Sequence, residues 1–256
     1  MSKRVFESTD TIGLHTIVSP EMGCCKAITI LRLNLAPKQE FYLETKELEM
    51  NGLLIKGNAF LEMFSFDMKE NDSFYLPGRC IAKIIAGTEG ASFYIGAAKC
   101  EGIGKPFIRK FDSSLPFGTI HQIHGEGAGA REVFFTLEDS IPASRLICGF
   151  TIGGDGTWTS WPPHQHEKHL EEAYCYYHMP MSQLGYQLYY PTGGMIEKAE
   201  FQAVHEGSVA LAADGYHPTV AVPGTCNRYF WVMAAFTPAD RSYDHAKADP
   251  RIKGGK

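Results

Sequence analysis

Two histidines separated by one residue, His164 and His166, carry the clearest chemical signal in this 256-residue chain. Residues two apart on a strand project to the same side, so both imidazoles would face one point. A carboxylate follows at Glu172, and His217 stands in a later segment of strand-type sequence. Three imidazole nitrogens and one carboxylate oxygen suit Zn, Mn, Fe or Ni and leave coordination positions for a substrate. The pattern predicts one divalent metal ion held by these four side chains.

The acidic pair beside these histidines offers a choice of ligand, because Glu171 and Glu172 are adjacent. Glu172 is preferred because it shares strand parity with Tyr174 and Tyr176, which would then face the metal. A tyrosine hydroxyl near a metal can position a substrate oxygen or pass a proton. Tyr174, Tyr176 and Glu171 are therefore the candidate catalytic bases. The alternative for either tyrosine is simple filling of a barrel interior.

Substrate binding is assigned to Arg131, Trp161 and Tyr216. Arg131 follows a glycine-rich segment, and a guanidinium can bind a substrate carboxylate through two parallel hydrogen bonds. Trp161 and Tyr216 stand beside the predicted ligands. Arg145 is a second candidate for the carboxylate, and either arginine could instead be an ordinary surface charge.

Strands must position these residues, because the periodicity is two almost throughout. In the run from Thr29 to Leu35, leucines at 31, 33 and 35 alternate with Arg32 and Asn34. Similar short runs recur along the chain, separated by Gly, Pro, Asn and Asp. No amphipathic helix longer than about three turns is evident. Many short strands at close spacing indicate an all-β sandwich or barrel.

The chain also repeats itself at an offset of 137 residues. This offset aligns Gly78 with Gly215, Phe93 with Phe230, and the segment 95–98 with 232–235. A period near half the chain length predicts two copies of one fold, which we divide at residues 1–118 and 119–256. His15 is the only histidine before position 121. The metal site is therefore expected in the second copy alone.

Composition excludes several classes of protein. Hydrophobic residues make up 44% and charged residues 21% of a chain with a net charge of −5. The basic residues are scattered, which argues against nucleic-acid binding. No segment approaches the roughly 20 apolar residues of a membrane helix, and the N-terminus lacks a secretory signal. The seven cysteines include no Cys-x-x-Cys pair, so a reducing, cytoplasmic location is expected.

At these residues the sequence resembles the cupins and, more narrowly, the 5-deoxy-glucuronate isomerase family of inositol catabolism. The resemblance covers most of the chain, and its most specific motifs are Pro-Pro-His-x-His and Gly-Tyr-His-Pro. The matching segments are Ser144-Arg145-Leu146, Gly156-Thr157-Trp158-Thr159-Ser160-Trp161-Pro162-Pro163-His164-Gln165-His166, Glu171-Glu172-Ala173-Tyr174-Cys175-Tyr176-Tyr177, Gly185-Tyr186-Gln187-Leu188-Tyr189-Tyr190 and Gly215-Tyr216-His217-Pro218. One departure follows Val232-Met233-Ala234, where the family pattern has Gly and soon Trp but this chain continues Ala235-Phe236-Thr237-Pro238.

The resemblance implies two tandem cupin barrels of the jelly-roll type, called a bicupin, with ligand roles for His164, His166, Glu172 and His217. The implied activity is aldose–ketose isomerisation of a small uronic-acid-type sugar. In such a reaction the metal stabilises charge that develops on adjacent oxygens, and a base moves a proton between neighbouring carbons.

Other functions remain open for the same ligands. A 5-keto-4-deoxyuronate isomerase would share the fold and the metal quartet. A cupin dioxygenase would consume oxygen, and a non-catalytic sugar-binding bicupin would tolerate Glu172→Gln. The sequence does not decide the oligomeric state, and a homo-oligomer is compatible with it.

Overall fold

The computed structural model describes residues 3–179, 184–193 and 196–252, and strands provide most of the regular structure in these ranges. The strands are β1 Val5–Glu7, β2 Gly13–Val18, β3 Thr29–Leu35, β4 Glu40–Glu44, β5 Leu48–Leu61, β6 Phe66–Met68, β7 Ser73–Leu76, β8 Ile81–Lys99, β9 Phe107–Arg109, β10 His121–His124, β11 Arg131–Leu137, β12 Leu146–Asp155, β13 Trp158–Thr159, β14 His164–Gln165, β15 Leu170–Tyr176, β16 Gly185–Tyr189, β17 Glu200–Val204, β18 Ser208–Ala212, β19 Thr219–Ala221, β20 Cys226–Ala235 and β21 Lys247–Ala248. The 3-10 helices are Pro20–Met22, Glu62–Phe64, Gly127–Gly129, Ile196–Lys198, Pro238–Asp240 and Tyr243–His245. The described ranges contain no α-helix, which confirms the all-β prediction.

The first barrel is built from one eight-stranded antiparallel sheet. Its order is β2-β3-β8-β5-β7-β9, with β4 added to β8 and β6 added to β5. The long strands β5 and β8 change register on either side of Gly57. Gly57 has a φ of 82°, and a Cβ there would lie 2.2 Å from the carbonyl oxygen of Gly90. Glycine therefore permits this close approach, and the sheet encloses an apolar core that includes Leu33, Met50 and Phe93.

The second barrel consists of a seven-stranded and a four-stranded sheet. The larger sheet has the order β1-β18-β15-β20-β12-β11-β10, and the smaller has the order β13-β19-β16-β17. Its apolar cluster joins Phe135 and Trp231 of the larger sheet to Val204 of the smaller one. The two-barrel architecture predicted from the repeat is therefore present.

An apolar layer between the barrels forms a third core. Ile30 and Leu53 from the first barrel pack here with Phe230 and Val232 from the second. A Cβ on Gly96 would lie 2.5 Å from Cγ1 of Val232, so the two sheets meet at close range. The barrels are consequently packed against each other across a largely apolar interface.

Two buried glutamates fasten the barrels to each other in a reciprocal manner. Glu49 of the first barrel accepts backbone N–H bonds from residues 144–146, just before and at the start of β12. Glu171 of the second barrel accepts backbone N–H bonds from residues 26–28, just before β3. Carboxylates that accept several N–H bonds are stabilised when buried. The same interaction therefore occurs twice, once in each direction.

The internal repeat is real, but its register differs by one residue from the predicted 137. Met50 pairs with Ala97 on β8, and Glu172 pairs with Met233 on β20. The equivalent positions Ala97 and Met233 are separated by 136 residues. A slip of one residue exchanges the two faces of a strand. Phe93 accordingly lies in the first barrel's core, whereas Phe230 lies in the layer between the barrels.

The N-terminal strand crosses the predicted division of the chain. β1 pairs with β18, so Val5–Glu7 belongs to the sheet of the second barrel. The division at residue 118 stays a prediction for the rest of the chain. None of the helices in the described ranges is long and apolar enough to cross a membrane.

Candidate metal centre

His164 lies on β14, a two-residue strand that pairs with β21 near the other end of the described chain. The backbone N–H of Asp249 extends this pairing with a 2.7 Å hydrogen bond to the carbonyl oxygen of Pro163. The segment 162–163 consists of two prolines, which lack an N–H and limit other strand pairing. The tail strand therefore holds His164 in place.

The four predicted ligands converge inside the second barrel. His166 follows β14, Glu172 lies on β15, and His217 precedes β19. One nitrogen or oxygen of each of the four lies within 4.8 Å of the others. The Nε2 atoms of His166 and His217 are 3.1 Å and 3.2 Å from the same oxygen, Oε2 of Glu172. His166, Glu172 and His217 are buried, and His164 is half-buried.

Each of the three imidazoles is oriented by a backbone carbonyl. Nδ1 of His164 is 3.0 Å from the oxygen of Pro162, and Nδ1 of His166 is 3.0 Å from the oxygen of Leu170. Nδ1 of His217 is 2.9 Å from the oxygen of Gly215. A carbonyl only accepts, so each Nδ1 carries the hydrogen and each neutral ring keeps its lone pair on Nε2. This outer arrangement is common around metal-binding histidines.

This donor set fits a cation. Lone pairs on two Nε2 atoms face one carboxylate oxygen, and Nε2 of His217 has no hydrogen-bond partner among the described residues. Such a group of buried acceptors requires a positive charge between them, either a proton or a metal ion. Ligands at 2.0–2.2 Å from one ion are about 3 Å apart, which agrees with the observed spacing. The residues therefore suit a metal ion with nitrogen and oxygen ligands.

The pKa values of the cluster favour the protonation states that bind a cation. Burial, together with the neighbouring His217, lowers the pKa of His164 to about 3. Burial alone would raise the pKa of Glu172, but the adjacent imidazoles of His166 and His217 outweigh it and hold the pKa below its ordinary value. His164 is therefore neutral and Glu172 ionised at neutral pH, which are the forms that bind metal.

Of the predicted bases, Tyr174 is the one that touches the cluster. Its hydroxyl donates a 2.9 Å hydrogen bond to Oε2 of Glu172 and lies 3.0 Å from Oγ of Ser160. Burial, with Glu172 nearby, raises the pKa of Tyr174 well above its usual value. Tyr176 is buried deeper, where its hydroxyl binds Gln187 and Thr219.

Glu171 lies apart from the four ligands, contrary to its predicted role as a base. Adjacent residues on a strand point to opposite faces, so Glu172 faces the barrel interior and Glu171 faces the first barrel. Its carboxylate is occupied by the backbone N–H groups of residues 26–28. The structure gives Glu171 a role in joining the barrels.

A small cavity of about 30 Å³ adjoins the cluster. This is room for about one water molecule or ion. Its lining combines ligands, aromatic rings and small polar groups, namely His124, Arg131, Val133, Thr151, Ser160, His164, Glu172, Tyr174, Tyr229, Trp231 and Tyr243. The structure thus places one of the predicted substrate-binding residues, Arg131, on the cavity wall.

The other two predicted substrate-binding residues lie outside the cavity lining. Trp161 contributes through its backbone, because its carbonyl accepts a 2.8 Å hydrogen bond from Nη1 of Arg131. Tyr216 packs against Tyr190, with ring centroids 5.0 Å apart. Arg145, the alternative candidate for binding the substrate carboxylate, pairs with Glu101.

Seven of the eleven lining residues were absent from the predicted site residues, among them His124 and Tyr243. His124 pairs with Arg131 across β10 and β11, and opposite residues of antiparallel strands share a face. Tyr243 comes from the tail after β20 and packs on Phe135, a long-range contact without a local sequence signal.

A second group of polar side chains fixes the tail near the site. Nδ1 of His169 is 2.8 Å from Oδ1 of Asp240, and the ring of His169 stacks on that of His245 at 3.9 Å. These contacts attach both C-terminal 3-10 helices to the turn that precedes β15.

Comparisons with known proteins agree with this architecture. A profile of the KduI/IolB family matches residues 3–250. A 5-deoxy-glucuronate isomerase from Geobacillus kaustophilus is 30% identical over 220 residues, 78% of this chain and 76% of that protein. A second, from Geobacillus thermodenitrificans, is 27% identical over 237 residues, 85% of this chain and 83% of that protein.

Solved structures show the same fold. An IolB-like protein from Salmonella typhimurium superposes with a TM-score of 0.81 at 21% identity, covering 97% of both chains. A mutant oxalate decarboxylase from Bacillus subtilis superposes with a TM-score of 0.63 at 13% identity, covering 91% of this chain and 77% of that one. The prediction of two tandem cupin barrels is confirmed.

Proposed function

This chain belongs to the KduI/IolB family, and we propose that it is a metal-dependent isomerase that converts a uronic-acid-type aldose into the corresponding ketose. The proposed substrate is 5-deoxy-glucuronate, after the names of the relatives. The proposed cofactor is one divalent ion, Zn, Mn, Fe or Ni, with His164, His166, Glu172 and His217 as its ligands.

The observation that carries the proposal is the buried quartet, in which two imidazole nitrogens approach one carboxylate oxygen within 3.2 Å. A bound divalent ion would supply Lewis acidity to adjacent oxygens of an open-chain sugar. This chemistry suits isomerisation, because negative charge develops on those oxygens when a proton leaves the neighbouring carbon.

Arg131 is the proposed partner of the substrate carboxylate. Nη1 of Arg131 is held by the carbonyl oxygens of Gly129 and Trp161, which fixes the guanidinium plane on the cavity wall. A fixed, always charged guanidinium recognises a carboxylate at little entropic cost. Arg131 would therefore orient one end of the sugar acid while the quartet faces the other.

Tyr174 is proposed as a proton donor to substrate oxygen. Its raised pKa keeps the hydroxyl protonated at neutral pH, and it already donates to Glu172. Tyr229, Trp231 and Tyr243 add aromatic surface to the same cavity wall. A low-dielectric environment of buried rings strengthens polar contacts of this kind.

The proposal is tested by metal analysis of the wild type and of His166→Ala, together with an anaerobic assay using 5-deoxy-glucuronate. We expect one metal ion per chain in the wild type, loss of that ion in the variant, and oxygen-independent turnover by the wild type alone. A matched control is His205→Ala, which removes an exposed histidine that is not part of the quartet and should keep the metal. Wild type without metal would refute the proposal, and oxygen consumption would identify a dioxygenase instead.

A further inference from the structure

His124 faces the interior of the second barrel from its edge strand. On β10 it stands directly opposite Arg131 of β11, so both side chains share one face. Both line the cavity that His164, Glu172 and Tyr174 also line. The glycine-rich connection between the barrels thus delivers an imidazole to the proposed site.

The protonation site of this imidazole is fixed by a chain of two hydrogen bonds. Nε2 of Gln122 donates to the carbonyl oxygen of Thr119 at 3.0 Å, which sets the orientation of the amide. Oε1 of Gln122 then lies 2.6 Å from Nε2 of His124. An amide oxygen only accepts, so Nε2 of His124 carries the hydrogen and Nδ1 carries the lone pair. The hydrogen bonds of the described residues leave Nδ1 unused.

The ring is also uncharged at neutral pH. Burial, followed by the positive charge of Arg131, lowers the pKa of His124 to about 4. Burial raises the pKa of the tyrosine hydroxyls of the cavity wall, those of Tyr174, Tyr229 and Tyr243, so they keep their protons at neutral pH. The hydroxyl of Tyr174 also donates a hydrogen bond to Glu172, and the imidazole of His164 belongs to the quartet.

We propose that Nδ1 of His124 is the base that moves the proton between carbons 1 and 2 of the sugar acid, and that Gln122 positions it. This inference rests on the proposed isomerase function and names a residue for its proton-transfer step. Two observations support it: His124 lines the same cavity as His164 and Glu172, and its hydrogen bond to Gln122 fixes its tautomer.

The step conserves atoms and electrons. The C2–H bond breaks, its proton passes to Nδ1, and its electron pair forms the C1=C2 bond of an enediol. The resulting imidazolium returns the proton to C1, while the hydroxyl hydrogen on O2 is transferred to O1. The aldehyde becomes an alcohol, the C2 alcohol becomes a ketone, and no external oxidant or reductant is needed.

The test compares the wild type with His124→Ala and His124→Gln, each loaded with metal, in the anaerobic assay. Loss of a general base lowers turnover by about 10²- to 10⁴-fold, and we expect this fall in kcat with unchanged metal content. Added imidazole is expected to restore part of the activity of His124→Ala. Incorporation of solvent deuterium at C1 of the product should fall with kcat, and His205→Ala should match the wild type.

The positioning role of Gln122 has its own readout. Gln122→Leu should lower kcat with little change in KM, because the ring loses its fixed tautomer, and Gln122→Glu should recover activity by accepting from Nε2 again. The thermal unfolding midpoint identifies any variant that fails to fold.

The outcomes separate this inference from the proposed function. If the wild type turns over but both His124 variants keep kcat within threefold, His124 is not the base and the isomerase function stands. If either variant also loses its metal, the residue supports the quartet and the inference is wrong. If the metal-loaded wild type has no isomerase activity, both proposals fail together.

Discussion

The two barrels share a strand framework but fill it with different side chains. Met50 and Glu172 occupy equivalent places. Each follows one of the two glutamates that join the barrels, Glu49 or Glu171, and each pairs with the equivalent residue of β8 or β20. In the first barrel Met50 packs with Leu33 and Phe93. In the second, Glu172 faces two imidazoles and a tyrosine hydroxyl. At this position the first barrel has an apolar side chain in its core, and the second has a carboxylate among polar groups.

The comparison separates two neighbouring carboxylates that the sequence makes look alike. Glu49 and Glu171 are retained at equivalent positions, and each binds the backbone of the other barrel. A feature present in both barrels serves the fold that they share. The counterpart of Glu172 in the first barrel is the apolar Met50, so the function of this carboxylate is specific to the second.

The largest effect is expected from making the second barrel resemble the first with Glu172→Met. Loss of the carboxylate should abolish metal retention and lower turnover by more than about 10³-fold, because the remaining imidazoles lack a compensating negative charge. Metal content and kcat measure this. The reverse change, Met50→Glu, should lower stability by several kcal/mol because it buries an unpaired carboxylate. Turnover by Glu172→Met at the wild-type rate would show that this carboxylate is not what distinguishes the second barrel from the first.

The contrast between two arginines gives the next effect. Arg131→Gln should raise KM for the sugar acid by about 10- to 100-fold through loss of a charge-assisted bidentate contact. Arg145→Gln is the matched control, since Arg145 pairs with Glu101, and its KM should stay near that of the wild type. Steady-state kinetics measure both, and equal KM changes would show that Arg131 has no special role.

A moderate effect is expected from replacing Glu49 or Glu171, the two glutamates that join the barrels. Glu49→Gln and Glu171→Gln should each lower the free energy of unfolding by about 1–3 kcal/mol, because an amide replaces a carboxylate that accepts several buried N–H bonds. Urea unfolding measures the loss. Turnover by the folded fraction should be unchanged in both variants. A fall in kcat confined to Glu171→Gln, at unchanged stability, would restore it as a candidate base.

The smallest effect is expected for Tyr216→Phe. Its ring packs on Tyr190 and it does not line the cavity beside the quartet, so removal of one hydroxyl should change kcat and KM by less than about threefold. A larger change in KM would bring Tyr216 back among the substrate-binding residues.

The sequence was informative wherever a local pattern sets geometry. Strand parity was sufficient to choose Glu172 over Glu171 and to bring His164 and His166 together. The sequence was not sufficient where the position of a residue depends on packing between distant segments. The repeat register was one residue out because matching glycines and alanines do not define a face, and β1 joined the second barrel through pairing that no local pattern encodes. Tyr243 reached the cavity for the same reason.

The pairing of both outer segments with the second barrel has a consequence for biosynthesis. Its sheet needs β1, which is translated before the whole first barrel, and its ligand strand needs β21, which is translated after every other described strand. The first barrel contains all of its own strands in one stretch and can fold as soon as that stretch emerges. We therefore expect nascent chains to pass through a stage with one folded barrel, and metal loading to begin only after translation has passed residue 248.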